Sequence, residues 1–132
     1  MALKKGFRQL VAEAEAEIET IPVEEAVKLV GRDDVVIVDL RDIRELWNGG
    51  TVPGAVHAPR GMLEFWVDPD SPYHREVFSS GKKLVFFCAA GWRSALATKA
   101  VQDMGLEPVA HIGGGFAAWQ EAGGPIEAKE KK

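Results

Sequence analysis

The sequence predicts one small α/β domain, a mostly parallel sheet flanked by helices, with a helical extension at its N-terminus. Three observations carry that reading. The unbroken runs Val35-Val-Ile-Val38 and Leu84-Val-Phe-Phe87 have the make-up of strands covered on both faces. Segments of helical spacing alternate with such runs, an order that calls for parallel strands and crossover helices. The chain has 132 residues, 46% of them hydrophobic, which is enough for one core and not two.

Residues 4–19 are rich in Ala, Glu and Lys, and Phe7, Leu10, Val11, Ala14 and Ile18 form an apolar stripe at spacings of three and four. The Ala/Glu alternation imitates a strand, but these residue types favour helix. Such a stripe docks on its own domain more often than it pairs two chains. Pro22, Glu24 and Glu25 open a second helix that Gly31 stops. After the first buried strand, Asp42 to Trp47 makes a short helix closed by Gly49 and Gly50, and Gly54 to Pro59 is extended. Residues 61–80 mix short helical pieces with turns at Asp68-Pro-Asp70 and Ser71-Pro72. Leu84 to Phe87 is the second buried strand. Ser94 to Met104 carries a stripe of Leu96, Ala97, Ala100, Val101 and Met104, with Gly105 as cap. Pro108 to Ile112 is a third strand, and Phe116 to Glu121 a closing helix ended by Gly123-Gly-Pro125. The division expected is an extension over 1–19, a domain over 20–127 and a charged tail over 128–132.

A net charge of −4 argues against a general nucleic-acid binder. No apolar run is long enough to cross a bilayer, and the N-terminal residues lack the apolar region of a secretory signal. The balance fits a soluble cytoplasmic protein. One cysteine excludes an intrachain disulfide and a multi-cysteine zinc or iron–sulfur site. Cys88 is therefore either a small buried hydrophobe or the centre of the chemistry.

Its surroundings favour the chemistry. A buried strand brings Cys88 to its carboxyl end, where open α/β sheets place ligands. The short loop Ala89, Ala90, Gly91, Trp92 then enters a helix at Arg93 or Ser94. Backbone N–H groups of such a turn, with the unpaired donors of the helix start, converge on the sulfur and favour its thiolate. Small residues let the backbone approach, Gly91 can take a positive φ, and Arg93 adds a forked donor for an oxyanion. Trp92 offers a stacking wall to a larger donor or partner, or equally packs on a neighbouring helix.

Cys88-Ala-Ala-Gly-Trp-Arg-Ser94 resembles the active-site loop of the rhodanese family, C-x-x-G-x-R-[S/T]. Val38-Asp-Leu-Arg-Asp-Ile-Arg-Glu45 resembles its D-x-R-x-x-x-E segment. Gly50 to Pro59 resembles its G-H-I-P-G-A-x-[N/H]-x-P stretch, and Ile112 to Trp119 with Gly124-Pro125 its closing G-G-x-x-x-W…G-x-P. These landmarks, in family order, cover about residues 20–126. The resemblance implies a rhodanese fold and a sulfurtransferase that carries a persulfide on Cys88, with Arg93 beside it and no metal or organic cofactor. It implies a small sulfur-containing anion as donor, and cyanide, a thiol or a protein as acceptor. Family members that use thiosulfate well carry basic residues inside the loop; Ala89, Ala90 and Trp92 stand there in this chain.

Asp39 and Arg41 follow the first buried strand, at the same sheet edge as Cys88. A structural role, Arg41 pairing with Glu45 four residues on, is favoured over one in which Asp39 bonds the loop and Arg41 guides anions. His57, His74 and His111 show no metal-ligand spacing, and a structural role is the ordinary one for His57. Gly113-Gly-Gly115 lacks the dinucleotide order and more simply frees backbone beside the site. Trp47, Trp66 and Trp119 are core candidates, while Met62, Leu63, Phe65 and Trp66 are placed to line a pocket mouth. Two rival functions remain: a cysteine-dependent phosphatase or arsenate reductase, and a non-catalytic binding module. Phosphatases of that class show C-x5-R, whereas Cys88 to Arg93 is C-x4-R, a tighter ring that suits a sulfur atom.

Overall fold

The computed structural model describes residues 2–131. Helix α1 (Phe7–Glu15) leads into strand β1 (Glu19–Ile21), then α2 (Val23–Ala26), extended by a 3₁₀ turn to Leu29, and β2 (Val35–Asp39). Helix α3 (Ile43–Gly49), strand β3 (Val56–His57) and helix α4 (Leu63–Val67) follow. The chain ends with β4 (Lys83–Phe87), α5 (Trp92–Asp103), β5 (Val109–Ile112) and α6 (Gly115–Glu121). The five strands lie in the order β1-β5-β4-β2-β3, every adjacent pair parallel. This is the α/β architecture the sequence predicts.

Side-chain alternation splits the core into two layers. Val38, Leu84, Phe86 and Val109 meet Leu63, Val67, Ala97 and Val101 on one face of the sheet. Ile37, Val85, Phe87, Ala110 and Ile112 meet Ala26, Phe116 and Trp119 on the other. β4 is flanked by β2 and β5, and its residues Leu84 to Phe87 are all buried, which is why that run is apolar without a break. Since all strands run the same way, the ends of β2 and β4 and the Gly113-Gly-Gly115 turn after β5 share one rim.

Three expectations need correction. The helix drawn over residues 4–19 stops at Glu15, and Glu19–Ile21 forms a strand that pairs with Ala110 to Ile112. Three residues are too few for a periodicity to show, and the ladder with β5 outweighs the helix propensity of the preceding Ala/Glu run. Helix α5 begins at Trp92, one residue earlier than expected, because Gly91 at φ 103° turns the chain straight into it. Leu63, expected at a pocket mouth, is buried in the core under the sheet, while Phe65 is exposed and Trp66 packs beneath the Arg75 guanidinium. The α1 stripe docks on α5: Val11 and Ala14 bury against Ala95, and Phe7 and Leu10 stay exposed.

Candidate active site

Cys88 sits just past the end of β4 with 1% of its surface exposed. Its Sγ accepts from two backbone N–H groups, Gly91 at 3.2 Å and Ser94 at 3.3 Å. Ser94 is the third residue of α5, so the sulfur takes up one of the four donors a helix start leaves unpaired. The loop is held from behind by α6. The Phe116 N–H donates to the Cys88 carbonyl at 2.8 Å and the Ala117 N–H to the Ala89 carbonyl at 3.0 Å. In a planar trans peptide the N–H points opposite to the C=O. Anchoring those two carbonyls to α6 therefore turns the Ala89 and Ala90 N–H groups away from it. With those of Trp92 and Arg93, they have no hydrogen-bond partner among the described residues. The turn thus places two backbone donors on the sulfur and leaves four more N–H groups of the same loop and helix start unpaired among the described residues.

Gly115, at φ 60°, makes this anchoring possible. A Cβ there would stand 2.4 Å from the Cys88 carbonyl oxygen and 2.8 Å from Ala89 carbonyl atoms. The glycine run thus lets α6 close on the cysteine loop, the role its sequence favours over nucleotide binding.

Arg93 lies at the mouth, half-buried, and is gripped by Glu45 through two bonds of 2.9 and 3.0 Å. The Glu45 side chain also accepts from the Asp42 N–H and completes a capping box on α3. Hydrogen bonding to Arg93 first, then the Asp42 N–H, holds the Glu45 carboxyl below its ordinary value. The same bond raises Arg93, to which Cys88 and Asp39 add smaller attractions.

Glu45 is therefore not the partner of Arg41. Arg41 precedes α3, where helical i,i+4 spacing does not apply, and its guanidinium turns inward to Asp39 at 3.0 and 2.9 Å. It also donates to the Gly50 carbonyl at 2.8 Å and lies 4.2 Å over the Phe116 ring. Asp39 is completed by the Thr51 hydroxyl at 2.7 Å. Both members of the pair are buried, Asp39 fully, so they brace α3 and α6 behind the loop and do not bond the loop itself.

Trp92 is 48% exposed, its ring 4.8 Å from that of Phe7, with the Arg8 guanidinium over both. It thereby packs on α1 and also presents a face beside the loop. Ala89 is half-buried and Ala90 exposed. His57 bonds the Arg41 carbonyl at 2.6 Å, and His74 bonds the Trp66 carbonyl and the Ser79 hydroxyl. No group of three or more His, Cys, Asp or Glu among the described residues is placed to hold a metal ion. No described helix is long and apolar enough to cross a membrane.

His111 is the residue the sequence did not single out. It stands fully buried on β5, with Nδ1 2.9 Å from the Ser94 hydroxyl and Nε2 3.0 Å from that of Thr20. Burial pushes it down to about 4, so it is neutral near pH 7. The available signal is a lone polar residue inside the run Val109-Ala-His-Ile112.

Comparison with known proteins agrees with this geometry. Residues 22–122 match the model of the rhodanese-like domain. A solved structure from Rhodopseudomonas palustris, described as a protein of unknown function and possible tyrosine phosphatase, is 53% identical with a TM-score of 0.93, covering 96% of this chain and 98% of that one. Human thiosulfate:glutathione sulfurtransferase is 28% identical over 108 residues, covering 77% of this chain and 93% of that protein. The tRNA uridine(34) hydroxylase of Acinetobacter baumannii (strain AYE) is 28% identical over 141 residues, covering 94% of this chain but 43% of that protein. The chain spans 43 to 64% of the length of the first curated relatives it matches. Fold, loop and matched segment together show that the chain belongs to the family of rhodanese-like domains.

Proposed function

We propose that this protein is a sulfurtransferase that carries sulfane sulfur as a persulfide on Cys88. The observation that supports the reading best is the donor set of the loop: two N–H groups on the sulfur, and four more of the same turn without partners among the described residues. Such a set stabilises a thiolate, and then the anionic outer sulfur of a persulfide, without metal or organic cofactor. The thiolate attacks the outer sulfur of a donor such as thiosulfate. An S–S bond forms, the donor S–S bond breaks, and sulfite leaves with the electron pair. Cyanide or an acceptor thiolate then attacks the outer sulfur and returns the Cys88 thiolate. The sequence holds one cysteine, so the acceptor thiol is not another residue of it. A reducing compartment such as the cytoplasm suits a catalyst that must stay a free thiol.

A phosphatase reading draws on the description of the Rhodopseudomonas relative, and on the affinity of any N–H nest for tetrahedral oxyanions. The loop length weighs against it, as does the Glu45 carboxylate occupying both arms of the Arg93 fork. The test is intact mass after incubation with thiosulfate, with Cys88→Ser as control. The expected result is a gain of one sulfur atom that cyanide removes and the serine variant never shows. No gain from thiosulfate or other sulfane donors, with turnover of an aryl phosphate, replaces this reading with the phosphatase. Inactivity in both assays leaves a binding module.

A further inference from the structure

A thiol enclosed by N–H donors can be stabilised once ionised, but none of those donors can take its proton. Among the described residues, the group placed to accept from the Cys88 S–H is the Ser94 hydroxyl, at 3.6 Å. That hydroxyl begins a chain: Ser94 Oγ to His111 Nδ1 at 2.9 Å, then His111 Nε2 to Thr20 Oγ1 at 3.0 Å. Cys88, Ser94 and His111 are each at most 1% exposed, whereas Thr20 is exposed. Thr20 is the register partner of His111 across the β1–β5 ladder, so the fold itself fixes the last step.

Each hydroxyl has one proton to give, and a neutral imidazole donates from one nitrogen and accepts at the other. The Ser94 hydroxyl also lies 3.3 Å from the Gly91 carbonyl, a longer contact than its 2.9 Å to Nδ1. With the hydroxyl turned onto the chain and off that carbonyl, two arrangements pair all four residues. In the first, the thiol donates to Ser94, Ser94 to Nδ1, and Nε2–H to Thr20. In the second, Thr20 donates to Nε2, Nδ1–H to Ser94, and Ser94 to a sulfur anion. They differ by one proton, and each bond reverses between them.

The geometry points to a proton conduit in which His111, acting through Ser94, carries the Cys88 proton to the surface at Thr20 and turns the Ser94 hydroxyl onto the sulfur anion left behind. The thiol proton passes to Ser94 Oγ, the Ser94 proton to Nδ1, the Nε2 proton to Thr20 Oγ1, and the Thr20 proton to water. No charge rests on the ring at the end, consistent with burial disfavouring the imidazolium. His111 is thus a positioning residue that works by changing tautomer. The inference deepens the sulfurtransferase reading and rests on it for the purpose of the ionised sulfur. The charged groups around the chain are Glu15 of α1, 4.0 Å from Nε2, Arg93 of α5 with its partner Glu45 of α3, and Asp39 at the end of β2.

The test needs no sulfur donor. The tautomer of His111 is read by ¹⁵N NMR of the full chain as pH rises from 6, with Cys88 ionisation followed on the same sample by thiolate absorbance. The expected result is a switch from Nε2–H to Nδ1–H in step with the thiolate, absent in Cys88→Ala. A second measurement is alkylation by iodoacetamide. His111→Gln keeps a donor and an acceptor but cannot exchange them, so its rate at pH 7 should fall about tenfold, one charged hydrogen bond's worth, with the pH profile moved upward. An unchanging tautomer, or a His111→Gln profile that overlays the wild type, overturns the conduit. If His111→Gln does not fold, the tautomer measurement on the unmodified chain decides. Failure of sulfur transfer itself appears separately, in the mass assay with thiosulfate.

Discussion

Replacing Gly115 by alanine tests whether the α6 anchor organises the cysteine loop. Gly31 supplies the reference, because it also has positive φ (82°) but nothing lies within 4 Å of a Cβ built there. Gly31→Ala therefore measures the cost of the left-handed backbone alone, about 1–2 kcal/mol. Gly115→Ala meets that cost and adds contacts of 2.4 Å to the Cys88 oxygen and 2.8 Å to Ala89 carbonyl atoms. These are backbone atoms tied to Phe116 and Ala117, and they cannot swing aside as a flexible side-chain end would. Relief means overpacking strain of about 1–3 kcal/mol, together with weakening of two hydrogen bonds of about 1 kcal/mol each. Gly115→Ala should thus lose about 2–3 kcal/mol more than Gly31→Ala in urea unfolding followed by tryptophan fluorescence. It should also lose persulfide loading under conditions where it remains folded. Equal losses for the two variants, or full loading in Gly115→Ala, would refute the reasoning.

Glu45→Gln leaves Arg93 facing a neutral amide and makes the mouth one charge more positive; capture of thiosulfate should quicken about threefold or more at low salt. That gain should shrink toward 1 M salt, and equal stopped-flow rates for the two proteins count against a role for the pair in donor entry. Acid stability should reflect His111, held at about 4 against an ordinary 6.5. Between those values the unfolded chain binds a proton that the fold refuses, so stability falls as pH drops through the window, by about 3 kcal/mol in all. The Glu45 and Asp42 carboxyls, also held low from ordinary values of 4.5 and 3.8, begin to add to the loss near those values, so the step from pH 7.0 to 5.5 is the one that isolates His111. Urea unfolding at pH 7.0, 5.5 and 4.5 checks this, with Glu15 and the Arg93–Glu45 pair the charges nearest the relay; a flat curve from 7.0 to 5.5 contradicts it. Thr98 buries a hydroxyl without a partner among the described residues, so Thr98→Val should be neutral or stabilise by about 1 kcal/mol in the same assay.

The parts of the molecule legible in the sequence are those that local chemistry fixes. The unbroken apolar composition of β2 and β4 reports burial on both faces, and a glycine three residues past Cys88 reports the turn that brings N–H groups onto its sulfur. What escaped the sequence depends on partners distant along the chain. Glu45 is four residues from Arg41 but finds Arg93, 48 positions away, because capping α3 aims it across the rim. His111 reads as one polar residue in an apolar strand, and its meaning comes from Ser94 on α5 and Thr20 on β1. Strand β1 is visible only as a ladder on β5, since three residues carry too little pattern to outvote the helical composition before them.

That ladder bears on where the molecule can be cut. A fragment trimmed to the segment that matches the family model, beginning at Pro22, would strip the outer neighbour from β5 and bare the main-chain groups now paired with Glu19 to Ile21. An open apolar border of that kind invites strands from other molecules. The same trimming removes Thr20, and with α1 it uncovers Ala95 and frees one side of Trp92. The leading residues thus form the outer wall of the cysteine's enclosure, and an excised domain would be a stickier and less ordered protein.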